Sequence, residues 1–75
     1  MTKSLSQHLV VCIDNSGYPV SLETRKIYVA LRDQSAEKKG LLRVVDESGE
    51  DYLYPKNLFR PIALPHTLKK AVLAA

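Results

Sequence analysis

The sequence predicts an all-β fold, a small five-stranded barrel followed by a short C-terminal helix. Three observations carry this. The apolar runs at 8–13 (HLVVCI), 27–33 (IYVALRD) and 41–46 (LLRVVD) are short and rich in β-branched residues, the pattern of buried strands. Residues 49–62 (GEDYLYPKNLFRPI) read as a turn glycine, an alternating strand, a proline-opened turn and a short closing strand. Both faces of LLRVVD are largely apolar, as expected of a central strand in a strongly curved barrel.

In order along the chain, residues 1–7 are polar without periodicity and are expected to form a flexible N-terminal arm. The first strand follows, with Leu9, Val11 and Ile13 on one face and His8, Val10 and Cys12 on the other, because side chains alternate with period 2. Asp14-Asn15-Ser16-Gly17 is a turn cluster, and residues 18–26 form a long, irregular excursion. The second strand places Ile27, Val29 and Leu31 opposite Tyr28, Ala30 and Arg32. Residues 34–40 (QSAEKKG) are a charged loop with room for one helical turn and a glycine stop. The third strand groups Leu42 with Val44, and Leu41 with Arg43 and Val45.

Glu47-Ser48-Gly49 supplies the positive-φ tolerance of a tight hairpin. In the fourth strand Tyr52 and Tyr54 share a face opposite Asp51, Leu53 and Pro55. Pro55 has no N–H and ends the strand. Pro55-Lys56-Asn57-Leu58 is expected to make a single 3₁₀ turn, and residues 59–62 a short edge strand that tolerates Pro61. Residues 8–62 thus form the barrel. Residues 63–75 form the helix, whose stripe of Leu68, Ala71, Val72 and Ala75 docks on the barrel or on a partner.

This order of elements resembles that of a Src-homology-3-like barrel over residues 9–62, with Pro55 and Asn57 matching the Pro-x-Asn-Tyr turn that precedes the last strand. The chain also resembles small uncharacterised bacterial proteins of its size, which implies no activity. The residues that line a polyproline groove in the Src-homology-3 family are replaced here. Cys12 and Asp14 stand in the first strand, Leu41 and Leu42 open the third, and Leu58 takes the place of the turn tyrosine. The resemblance therefore implies the barrel and not proline-motif binding.

Composition sets the outer bounds. The chain of 75 residues is a single domain, which at this size buries only about 60% of its unfolded surface. A hydrophobic content of 45% and a charged content of 25% argue against global disorder. No apolar run reaches membrane-spanning length, and the first residues lack the pattern of an export signal. A single cysteine excludes a disulfide framework within the chain and fits the cytoplasm. The net charge of +3 is mild but segregated, with Asp46, Glu47, Glu50 and Asp51 at the hairpin tip and Lys56, Arg60, Lys69 and Lys70 towards the C-terminus.

Few residues invite chemistry. Four residues apart on a strand, His8 and Cys12 lie roughly 13 Å apart, too far to share a proton or an ion, and His66 is remote in sequence. Cys12 reads as a small buried hydrophobe, no glycine-rich phosphate loop is present, and neither a metal nor a cofactor is expected. The acidic residues surround a solvated turn rather than a cleft, which disfavours acid–base catalysis. Tyr28, Tyr52 and Tyr54 beside Arg43, Lys56 and Arg60 could instead form an aromatic and basic surface, or simply cover the barrel with hydroxyls in water. The expected function is a non-enzymatic binding or adaptor module for a protein partner, through Tyr28, Arg43, Tyr52, Tyr54, Pro55, Lys56, Asn57 and Arg60. The alternative is nucleic-acid binding by the same surface. A monomer, or a weak homodimer through the C-terminal helix, is expected.

Overall fold

A computed structural model describes residues 6–65, together with Leu68 and Ala71. Five antiparallel strands form one sheet: β1 (Gln7–Cys12), β2 (Ile27–Leu31), β3 (Leu41–Val45), β4 (Asp51–Pro55) and β5 (Phe59–Pro61). A helical turn, α1 (Gln34–Lys38), connects β2 to β3, and a 3₁₀ turn, η1 (Lys56–Leu58), connects β4 to β5. The strand order is β4-β3-β2-β1-β5.

The sheet is not closed into a barrel, which corrects one expectation from the sequence. β4 pairs with β3 from Val45↔Asp51 to Leu41↔Pro55, while β5 pairs with β1 from Cys12↔Phe59 to Val10↔Pro61. Closure would need a ladder between β4 and β5. Pro55 and Pro61 lack the N–H groups to extend one, and η1 turns the chain straight from β4 onto the far side of β1.

Alternation sorts the side chains. Val10, Cys12, Tyr28, Ala30, Leu42, Val44, Tyr54 and Phe59 converge in one buried cluster, joined by Leu58 from η1 and Leu22 from the long loop. Cross-strand register places Val10 opposite Tyr28, Ala30 opposite Val44 and Leu42 opposite Tyr54. The strand phases read from the sequence hold, and the tyrosine-bearing face of β2 and β4 is the core face.

Both acidic turns use one local device. In Asp14-Asn15-Ser16-Gly17 and again in Asp46-Glu47-Ser48-Gly49, the aspartate Oδ1 accepts from the N–H and the Oγ of the serine two residues later. The glycine that follows has φ of +88° at Gly17 and +83° at Gly49. Each motif reverses the chain through an Asx-type turn and closes it in a conformation that side chains with a Cβ resist.

The loop over residues 13–26 is ordered by its own bonds. The amide of Asn15 donates to the Leu22 carbonyl, and the Leu22 N–H donates to Tyr18. The Glu47 N–H reaches the Ser21 carbonyl, tying this loop to the β3–β4 hairpin. α1 is capped by Asp33, whose carboxylate accepts the Ala36 N–H, while Glu37 reaches back to the Asp33 N–H.

The last two residues of the arm expected over 1–7 engage the sheet. Gln7 opens β1, and the Ser6 carbonyl accepts from the Arg32 N–H, which draws the end of the arm into the sheet. Residues 1–5 lie outside the described residues, as does most of the expected C-terminal helix. Leu68 and Ala71 are helical and exposed, whereas Val72 and Ala75, the other members of the expected docking stripe, are not described. Among the described residues no helix is long and apolar enough to cross a membrane.

Candidate functional site

The eight residues singled out in the sequence fall in three places. Four of them, Pro55, Lys56, Asn57 and Arg60, line one groove of about 550 Å³, completed by Gly40, Phe59 and Pro61. Sequence order explains the assembly, because Pro55 ends β4, Lys56 and Asn57 lie in η1 and Arg60 lies in β5. The Lys56 N–H donates to the Gly40 carbonyl at 2.9 Å, which seats the turn on the start of β3. Lys56 and Arg60 are exposed, and neither makes an ion pair among the described residues.

Arg43 stands elsewhere and is occupied. Its guanidinium meets Asp33 Oδ2 at 2.9 Å and Asp51 at 3.4 Å, joining the α1 cap to β4. The ion pair raises the pKa of Arg43. The Ala36 N–H, and then Arg43, hold the Asp33 carboxyl below its ordinary value.

The tyrosines do not form one open aromatic surface, nor do their rings simply cover the outside of the sheet. Tyr28 and Tyr54 are 5% and 4% exposed, and both rings pack edge-on against Phe59, with centroids 6.4 and 6.2 Å away. Burial is tolerated because each hydroxyl finds a carboxylate at the hairpin. Tyr28 donates to Glu47 at 2.5 Å and accepts the Glu23 N–H at 2.7 Å, while Tyr54 donates to Asp46. Burial first, and the neighbouring carboxylate second, raise the pKa of both phenols.

Of the four acidic residues around the hairpin, Glu47, Glu50 and Asp51 are exposed, as the sequence suggested, and Asp46 departs from that expectation. Asp46 is only 7% exposed. Burial works to raise its pKa, but the hydrogen bonds from Ser48 and Tyr54 outweigh it and hold the carboxyl below the usual value. Glu47 is held low by Lys26, whose Nζ lies 2.5 Å from Oε2, and then by Tyr28.

Tyr52 is half exposed. With Tyr18, Ser21, Asp46, Ser48, Leu53 and Tyr54, it lines a second concavity of about 460 Å³. Tyr18 was not among the expected binding residues. Its signal in the sequence was slight, an aromatic side chain beside Pro19 in a loop of mixed polarity.

Cys12 is fully buried, and burial pushes its thiol pKa up, the setting of an inert cysteine. Among the described residues no group of three or more potential ligands could hold a metal ion. His66 lies outside them, as do Lys69 and Lys70.

Comparison with protein families, with curated proteins and with solved structures yields no match.

Proposed function

We propose that the chain is a small non-enzymatic binding module on a Src-homology-3-like fold, which holds an acidic, extended segment of a protein partner in the groove over η1. The charge of that groove carries the reading. Its charged lining is Lys56 and Arg60, which pair with no carboxylate among the described residues, whereas Lys26, Arg32 and Arg43 each do. Exposed cations with no carboxylate partner among the described residues, beside apolar Pro55 and Pro61, suit a ligand that alternates carboxylates with apolar side chains. The order of elements supports the Src-homology-3-like assignment: a long first loop, a helical turn in the second, a tight hairpin and a 3₁₀ turn before β5. A single buried thiol fits a reducing compartment such as the cytoplasm.

Nucleic acid is the competing occupant of a cationic groove. Single strands are held by exposed rings on which bases stack, and among the described residues the one aromatic ring lining this groove, that of Phe59, is 3% exposed. The peptide is favoured on that ground. The test is a heteronuclear NMR titration of the full chain with a peptide of alternating glutamate and leucine, and separately with a random single-stranded oligonucleotide. Movement of Lys56, Asn57 and Arg60 with the peptide, weakened by salt, is expected. Tighter binding of the oligonucleotide would move the assignment to nucleic acid, and silence with both would end the reading.

A further inference from the structure

The second concavity has the opposite chemistry to the groove. Three of its walls are tyrosine rings, its charged lining is the Asp46 carboxylate, and among the described residues no lysine or arginine lines it. Tyr18 packs against Tyr54 edge to face, with centroids 4.9 Å apart and planes at 83°. Tyr52 projects from the same face of β4 two residues before Tyr54, and its hydroxyl donates to Glu50 at 3.3 Å. We propose that this pocket binds the methylated ammonium head of a lysine side chain.

Two arguments select that group. A cation over the negative face of an aromatic ring is attracted without needing a hydrogen bond, and the attraction grows as water is excluded. Tyr18 and Tyr52 offer partly exposed rings, at 36% and 50%, over a floor that the buried Tyr54 and Asp46 complete.

The second argument is that the Asp46 carboxylate is already largely engaged. Asp46 accepts from the Ser48 N–H, the Ser48 hydroxyl and the Tyr54 hydroxyl, and Ser48 Oγ in turn accepts from the Glu50 N–H. A carboxylate has about four acceptor positions, so Asp46 contributes charge more than hydrogen bonds. An unmethylated ammonium would lose hydration that a carboxylate with about one acceptor position left replaces only in part, whereas a trimethylated one has no N–H to satisfy. A choline headgroup offers the same cation, but its phosphate would meet the carboxylates of Asp46, Glu50 and Asp51 around the hairpin, which favours a peptide-borne lysine.

The experiment is an NMR titration of the full chain with N-acetyl-trimethyllysine amide. Three ligands accompany it: the neutral isostere with a tert-butyl head, unmethylated N-acetyl-lysine amide, and phosphocholine. Saturable shifts at Tyr18, Ser48 and Tyr52 are expected with the trimethyl compound. Binding should be roughly tenfold weaker with the tert-butyl isostere, since the cation–π attraction is lost. Tyr52→Leu, at a half-exposed position, should weaken binding several-fold at an unchanged unfolding midpoint, and Tyr52→Phe should retain it. Equal binding of the isostere, or no saturable shift with the trimethyl compound, would overturn the proposal. Tighter binding of phosphocholine or of unmethylated lysine would overturn its choice of ligand.

Discussion

Asp46 and Glu47 are neighbours in the sequence, and each captures the hydroxyl of a buried tyrosine. Asp46 takes Tyr54 across the hairpin it opens, and Glu47 takes Tyr28 from β2 on Oε2 while Lys26 reaches both of its oxygens. Tyr54→Phe removes one donor from a buried carboxylate and should cost about 2 kcal/mol at neutral pH, the range of a hydrogen bond to a charged group. The pH dependence has a definite sign. Because the folded Asp46 carboxyl titrates below its ordinary value, the stability it contributes is complete above the unfolded pKa of about 4 and is lost as pH falls through the folded one. The difference between the parent chain and Tyr54→Phe, followed by urea unfolding from neutral to acid pH, should therefore narrow in the acid range. These pairings were half legible. Period-2 alternation put Tyr52 and Tyr54 together and Tyr28 with Ala30. The core face was not legible, because Val10 and Cys12 are as apolar as Leu9 and Val11. That left the tyrosines free to read as either surface or interior.

At the scale of elements, the long first loop contributes more than its composition suggested. Leu22 is fully buried, in the same cluster as Val10, Val44 and Phe59, and the loop is clamped to the hairpin through the Ser21 carbonyl. Leu22→Ala should cost about 2–4 kcal/mol, the range for truncating a buried leucine, and it should loosen both pocket walls that this loop supports, Tyr18 and Ser21. Thermal unfolding measures the first effect, and amide hydrogen exchange at Glu47, whose N–H meets the Ser21 carbonyl, measures the second. Val20 and Leu22 stand two apart in this loop, one 91% exposed and the other fully buried, so nothing local in the sequence marked Leu22 as core. The strands, the glycine turn and the 3₁₀ turn were readable because each rests on local chemistry: β-branched runs, Ser48-Gly49, and Pro55 followed by Asn57. Whether the sheet closes depends on two distant edges meeting. No local signal encodes that, and β4 and β5 do not pair.

For the whole molecule, a net charge of +3 conceals a polarity. The pocket beside the hairpin is lined by aromatic rings and a carboxylate, while the groove over η1 is lined by two cations and two prolines. The basic members of the expected site that lie in the groove are exposed, and the one outside it, Arg43, is committed to Asp33 and Asp51. That division puts the central claim within reach of one measurement, the affinity of the double variant Lys56→Glu, Arg60→Glu for the alternating glutamate–leucine peptide at low salt. The variant should keep the parent's unfolding midpoint and bind the peptide at least tenfold more weakly, roughly the loss of 1.4 kcal/mol or more that reversed charges impose on a complementary surface. An affinity unchanged by the reversal would show that the groove over η1 does not hold an acidic partner.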